Sequence, residues 1–191
     1  MSEQERNNNN RKNNYLIVVD MQNDFVDGSL GTPEAENIVE AVCKKVEEFP
    51  GTVIMTLDTH GEDYLATQEG RFLPVRHCIR DTEGWKLADK LAKLQSRMGI
   101  RMYKKPTFAS VEMAKALLSV HEASPIDEIE LVGLCTDICV ISNALMLKGF
   151  MPEVPISVDA SCCAGVTPEK HDAALETMES CQILIKKWRQ K

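Results

Sequence analysis

Short runs of unbroken apolar residues, "YLIVV" (15–19), "TVIMTL" (52–57) and "IELV" (129–132), recur between segments whose apolar residues return at helical spacing. A strand that is apolar on both faces has to be covered on both, and a parallel sheet with helices on each side does this. Weaker runs, "IRMY" (100–103), "VPISV" (154–158) and "QILI" (182–185), bring the number of expected strands to six. Thr32 and Pro33 have the order of an N-cap and first helical residue, ahead of Ile38, Val42, Val46 and Phe49 on one face. Further helices are expected over "WKLADKLAKL" (85–94) and after Ser110, with Val111, Ala114, Leu117 and Leu118. Two more are expected over "DICVISNALMLKG" (137–149), closed by Gly149, and over "TPEKHDAALETM" (167–178). The pattern predicts an α/β fold, a three-layer α/β/α sandwich around a six-stranded, mainly parallel sheet.

A chain of 191 residues suits one such domain. The opening "MSEQERNNNNRKNN" is polar and Asn-rich, without the apolar stretch of an export signal, so residues 1–14 read as a disordered tail and 15–191 as the domain. Net charge is −7, from 22 Lys and Arg against 29 Asp and Glu, and the one basic run is "KKWRQK", which argues against a nucleic-acid partner. No run approaches the ~20 apolar residues of a membrane span. Seven cysteines, an odd number without an export signal, favour reduced thiols and a cytoplasmic setting. The vicinal Cys162-Cys163 pair reads as packing rather than redox chemistry.

In open parallel sheets, ligands gather outside the carboxyl ends of the strands. Asp20 follows the first expected strand and Asp58 the second. Lys104 and Lys105 follow the third, Cys135 and Cys139 the fourth, and Asp159 the fifth. A carboxylate, an ammonium and a thiol thus converge on one edge, although each alone would pass as an ordinary polar strand end. A thiol near pKa ~8.5 needs a base or a positive field. The first turn of a helix, where Cys139 is expected, offers unpaired N–H groups that favour a thiolate or hold an oxyanion. Asp20 can take the thiol proton while Lys105 orients Asp20.

A second cluster follows strand two. Asp58 and His60 stand two apart, so in extended chain they face one side, and Glu69 and His77 come within reach through a loop. Mixed imidazole and carboxylate donors suit Zn, Mn or Fe, and Glu62 or Asp63 are substitutes for Glu69. Cys78 adjoins His77 and points away in extended chain. The Cys135/Cys139 pair has no second Cys or His pair nearby, which excludes a zinc ribbon, and the reducing setting argues against a disulfide.

With Asp20, Lys105 and Cys139 in this order, the chain resembles the isochorismatase-like cysteine hydrolases, which share a Rossmann-like fold, and within them the nicotinamidase/pyrazinamidase group. The matching stretches are "VVDMQNDFVDGSL" (18–30), "TLDTH" (56–60), "LPVRHC" (73–78), "KKPTFAS" (104–110) and "GLCTDICV" (133–140). The resemblance implies Asp20 as general acid/base, Lys105 as its partner and Cys139 as nucleophile. It also implies a cis peptide between Leu134 and Cys135, with an oxyanion hole from the N–H groups of Cys135 and Cys139. Asp58, His60, Glu69 and His77 are similar to the group's metal ligands, with Glu69 where other members carry histidine. A divalent metal, zinc first among the candidates with Mn and Fe behind it, is the implied cofactor. Phe25 resembles one aromatic wall of the substrate pocket, and the second falls to Phe72 or Leu73. The chain departs from the group in "FLPVRH", one residue longer than the usual "WPxH", and in "KPTFAS", which replaces Tyr-Ser-Ala-Phe.

The implied activity is hydrolysis of nicotinamide, or a similar small aromatic carboxamide, to the acid and ammonia through a Cys139 thioester. Retention of the metal set favours this over an isochorismatase-like hydrolase acting on another amide, carbamoyl or vinyl-ether substrate. A non-catalytic metal-binding or redox protein leaves the strand-end convergence unexplained. The expected partners are a small amide substrate and further copies of the chain.

Overall fold

The computed structural model describes residues 12–188; most of the expected polar tail, residues 1–11, lies outside them. Among the described residues six strands form one sheet in the order β3-β2-β1-β4-β5-β6, every neighbouring pair parallel. They are β1 (Asn14–Val19), β2 (Thr52–Asp58), β3 (Arg101–Lys105), β4 (Glu128–Leu134), β5 (Ile156–Ala164) and β6 (Leu184–Lys186). The helices are α1 (Asn23–Val26), α2 (Pro33–Glu48), α3 (Gln68–Phe72), α4 (Asp89–Met98), α5 (Val111–Ala123), α6 (Ile141–Phe150) and α7 (Pro168–Ser180). α2 packs on β4 and β5 with α4 against it, while α5, α6 and α7 pack on one another and on β3, β5 and β6. This is the three-layer sandwich that the unbroken apolar strands demand. Leu16, Ile17, Val18 and Val19 of β1, and Ile129, Leu131 and Val132 of β4, are buried at its centre.

Three helix starts follow from local chemistry. The Thr32, Ser110 and Thr167 side chains accept from Ala35, Met113 and Lys170 N–H groups, with Pro33 and Pro168 at the first helical positions. Other boundaries differ from the sequence reading. The apolar repeat over 85–94 becomes helical only from Asp89, because the preceding residues pair with the chain after β1. Leu87 bridges Gln22, and the Ala88 N–H donates to the Met21 carbonyl at 3.0 Å. The segment after β4 is not one helix closed by Gly149. It opens as a π-helical turn, Thr136–Val140, and α6 then runs through Gly149 to Phe150. The Val140 N–H reaches back five residues to the Cys135 carbonyl at 3.0 Å, which widens the turn.

The sheet reverses its strand order between β1 and β4, so the crevice at their carboxyl ends is the switch point. Gly133 is the one β4 residue at positive φ, 113°, and a Cβ there would meet the Val19 carbonyl oxygen at 2.2 Å. Only glycine lets β4 run beside β1 up to this point.

Asp159 does not stand at the strand-end edge. It lies within β5, where the register shifts against β4 between Leu131 and Gly133. Its carboxylate accepts from Lys45 Nζ (2.5 Å), Lys187 Nζ (2.9 Å) and Ser161 Oγ (2.7 Å). Burial alone would raise its pKa, but these hydrogen bonds outweigh burial and hold it at about 2. A carboxyl depressed in the folded state stabilises above its unfolded pKa, 3.8, and that contribution is lost as pH falls through the folded value. Asp159→Asn is therefore expected to cost on the order of 2 kcal/mol at pH 7. Urea unfolding over a pH series should show the gap to wild type narrowing below about pH 4.

Candidate active site

Four strands deliver the central group. Asp20 is the residue after β1, Thr56 and Asp58 come from β2, Lys105 ends β3, and Cys139 sits on the π-helical turn after β4. The register places Asp58 beside Lys105 on neighbouring strands. Lys105, fully buried, extends its ammonium to Asp20 Oδ2 at 2.6 Å, Asp58 Oδ1 at 3.2 Å and Cys139 Sγ at 3.5 Å. It also donates to the Thr107 carbonyl at 3.1 Å. Lys104 faces elsewhere, over the Trp85 ring at 4.9 Å.

Asp20 has no exposed surface and takes a left-handed backbone conformation, φ 49°. The Thr56 hydroxyl donates to Asp20 Oδ1 at 2.7 Å, which leaves Oδ2 to Lys105. Burial raises the Asp20 pKa above the usual carboxylate range, against the lowering effect of Lys105. The carboxylate is thus a better proton acceptor than an exposed aspartate. Cys139 departs from expectation: burial, joined by the Asp20 charge, pushes its thiol well up, and Lys105 offsets only part of this. The site holds a thiol with a base and a cation beside it rather than a standing thiolate. For Lys105 itself, burial opposes the charge, but Asp20, Cys139 and Asp58 together outweigh it and keep the lysine protonated.

Asp58 connects this group to a second one. Its Oδ2 lies 2.8 Å from His60 Nε2 and 3.6 Å from His77 Nε2. Glu69 Oε1 lies 3.6 Å from His60 Nε2 and 3.8 Å from His77 Nε2. One ligand atom from each of the four falls within 4.8 Å of the others, close enough to share one ion. Glu69 is carried by the one-turn helix α3, which Thr67 caps, rather than by an irregular loop. His77 Nδ1 lies 2.8 Å from the Val75 carbonyl, which can only accept, so Nδ1 carries the hydrogen and Nε2 presents its lone pair. Two carboxylates and two imidazoles fit a divalent cation of the Zn, Mn or Fe type. The substitutes do not join them: Glu62 pairs with Arg76 at the surface, and Asp63 stands outside the group. Cys78 is drawn off by its N–H bond to Asp24 Oδ2 at 2.7 Å.

Both groups open into a cavity of about 780 Å³ lined by Phe25, Phe72, Leu73, Phe108, Cys135 and Ile138 among others. Phe25 stands 5.5 Å from the His77 ring, centroid to centroid. Phe72 is 84% exposed and therefore belongs to the rim, with Leu73 behind it. The peptide between Leu134 and Cys135 is cis, as the resemblance implied. All seven cysteines are free thiols. No described helix is long and apolar enough to cross a membrane.

Sequence reasoning did not single out Thr56, Gln22 or Asn143. The Gln22 amide accepts from the Asp58 N–H at 2.7 Å and donates to the Asp58 carbonyl at 2.9 Å, fixing a cluster residue by its backbone. Asn143 binds the Cys139 carbonyl at 2.8 Å. Thr56 and Gln22 bond residues 36 positions away, and their places inside "TLDTH" and "DMQNDF" were the one hint of either.

A family model for the isochorismatase domain matches residues 14–187. An isochorismatase family protein of Bacillus subtilis is 32% identical over 172 residues, covering 84% of this chain and 91% of that protein. A nicotinamidase/pyrazinamidase of Mycobacterium tuberculosis is 27% identical over 184 residues, covering 88% and 95%. Among solved structures, a pyrazinamidase of Pyrococcus horikoshii in complex with zinc superposes with a TM-score of 0.73 at 25% identity, covering 92% of this chain and 99% of that one. Fold, domain match and relatives agree, and the chain belongs to the isochorismatase family.

Proposed function

We propose that the chain hydrolyses nicotinamide, or a closely similar aromatic carboxamide, to the carboxylic acid and ammonia through a thioester on Cys139. The observation that carries this is one ammonium, Lys105 Nζ, set 2.6 Å from a buried carboxylate and 3.5 Å from a buried thiol, beside the imidazole–carboxylate cluster. Relatives named nicotinamidase or nicotinamidase/pyrazinamidase support the substrate class.

The residues divide the work as follows. Asp20 takes the Cys139 proton as the sulfur attacks the carboxamide carbon, so no thiolate has to persist in the buried site. The carbonyl electron pair moves to oxygen, where backbone N–H groups of Cys135 and Cys139 hold it. The Ile138 and Val140 N–H groups are already bound to the Cys135 carbonyl and are not free for this role. Collapse breaks the C–N bond, and Asp20 returns its proton to the departing nitrogen as ammonia. Water then attacks the thioester, Asp20 accepts its proton, and that proton restores the Cys139 thiol as the acid leaves. Lys105 keeps Asp20 aligned and offsets negative charge on Asp20 and sulfur in turn. Asp58, His60, Glu69 and His77 would hold the cation, zinc first among the candidates, which supplies a position for the ring nitrogen and so orients the ring. Phe25, with Phe72 and Leu73 at the rim, walls the ring.

Ammonia release from nicotinamide tests this directly. Cys139→Ala and Asp20→Asn are each expected to lower kcat by at least about 10³-fold. Cys135→Ala should stay within a few-fold of wild type, because its backbone rather than its thiol is used. Undiminished turnover by Cys139→Ala would remove the thioester scheme. Metal analysis should find about one divalent ion per chain, lost in His60→Ala, and chelation should suppress turnover. Turnover indifferent to chelation would point to another amide or carbamoyl substrate, which a carboxamide panel would identify.

A further inference from the structure

Lys105 and Cys139 come from strands that are not neighbours. β3 and β4 are separated in the sheet by β2 and β1, so no strand hydrogen bonds tie the chain after β3 to the turn after β4. Yet both segments line the one cavity, Phe108 from the first and Cys135, Ile138 and Cys139 from the second. Asn143, in the first turn of α6 and 1% exposed, spans them. Its Nδ2 donates to the Cys139 carbonyl at 2.8 Å and to the Phe108 carbonyl at 3.1 Å. Its Oδ1 accepts from the Ser110 N–H, the N-cap of α5, at 2.9 Å. Both amide hydrogens and the oxygen are thus engaged, and all three partners are backbone.

The Phe108 side chain is 43% exposed, so packing holds its ring only in part. Its position depends on where its backbone is held, and Asn143 holds that backbone at a fixed span from the nucleophile's own carbonyl. An aspartate there keeps the acceptor and loses both donors. A leucine of the same shape loses all three bonds, and neither restores the clip.

Building on the amidase reading, we propose that Asn143 is a positioning residue that sets specificity: it clips the Phe108 wall to the Cys139 turn and so fixes the width of the slot that admits a planar aromatic amide. The slot as clipped prefers a single ring. Released, it admits a fused one at the expense of grip on the smaller.

The test compares wild type with Asn143→Asp, as purified with their metal, on a single-ring amide, nicotinamide, and a fused-ring amide, quinoline-3-carboxamide. In the variant, KM for nicotinamide should rise about 10-fold with kcat within about 3-fold, since the interaction lost acts on binding. The kcat/KM ratio should shift toward the fused-ring amide by about 10-fold or more. A variant whose kcat falls equally for both amides with KM unchanged has lost active protein only, and that overturns the clip. Phe108→Gly should reproduce the shift, and adding Asn143→Asp to it should change little further. Additive effects would overturn the proposal. Should Asn143→Asp not fold, Asn143→Thr, whose hydroxyl can still bond the carbonyl four residues back, serves in its place.

A second readout needs no turnover. Alkylation of Cys139, followed by mass spectrometry of its peptide and expressed relative to each reagent's rate with a free small thiol, should be slower in wild type with N-phenylmaleimide than with iodoacetamide. That difference should shrink about 5-fold or more in the variant. An unchanged difference overturns the clip. A wild type that hydrolyses neither amide while this difference shrinks overturns the substrate assignment and leaves the clip standing.

Discussion

A lysine ammonium stripped of water costs several kcal/mol unless charges around it replace what water supplied. Lys105 is in that position, and its replacement is Asp20 and Asp58, each itself buried, with the Cys139 sulfur and the Thr107 carbonyl completing the surround. Removing Asp20 or Asp58 would leave the buried ammonium with one carboxylate in place of two. Its geometry also dictates the chemistry. The ammonium touches the Asp20 carboxylate and the Cys139 sulfur at once, so it can steady a negative charge on whichever of them holds it. In the proposed scheme the sulfur does not have to be ionised beforehand, since the Asp20 carboxylate receives its proton, which fits a thiol that burial keeps protonated.

Asp58 carries the consequence outward. One of its oxygens faces Lys105 and the other faces His60 and His77, so Asp58 joins the surround of Lys105 to the imidazole–carboxylate cluster. Burial would raise the Asp58 pKa, but its bonds to the two histidines and the charge of Lys105 overcome that and hold it well below the usual range. An anion fixed in that way is a dependable metal donor. It also links the imidazole–carboxylate cluster, through Lys105, to the Cys139 sulfur. Gln22 secures this by binding the Asp58 peptide groups on both sides.

Much of this was legible before any coordinates. Unbroken apolar runs such as "YLIVV" can be satisfied only by a sheet covered on both faces, and residues at the carboxyl ends of parallel strands must share an edge. That placed Asp20, Asp58, Lys105 and Cys139 together. Spacing likewise selected His60, Glu69 and His77. Two of the failures have a common cause, since each turns on a long-range backbone pairing that local pattern does not record. Residues 85–88 have helical periodicity, but Leu87 and Ala88 are drawn into backbone pairing with Gln22 and Met21. Asp159 seemed to end a strand because "VPISV" stops there, yet β5 continues through a register shift and directs the carboxylate to Lys45 and Lys187. Gly149 had the composition of a helix stop, but α6 ends one residue later, where the Met151 N–H binds the Leu147 carbonyl at 2.8 Å.

The same reasoning explains why polar side chains, rather than the sheet, finish the site. A switch point leaves a crevice because the chains leaving β1 and β4 diverge to opposite faces. The sheet can bring Asp20, Asp58 and Lys105 into register through β1, β2 and β3, but the turn after β4 bears no ladder to the chain after β3. Coupling across that gap has to come from groups long enough to reach and polar enough to bond. Lys105 supplies it at the reacting sulfur, and Asn143 supplies it at the backbone of the cavity wall. A crevice open enough to admit a ligand is thereby kept narrow enough to orient one.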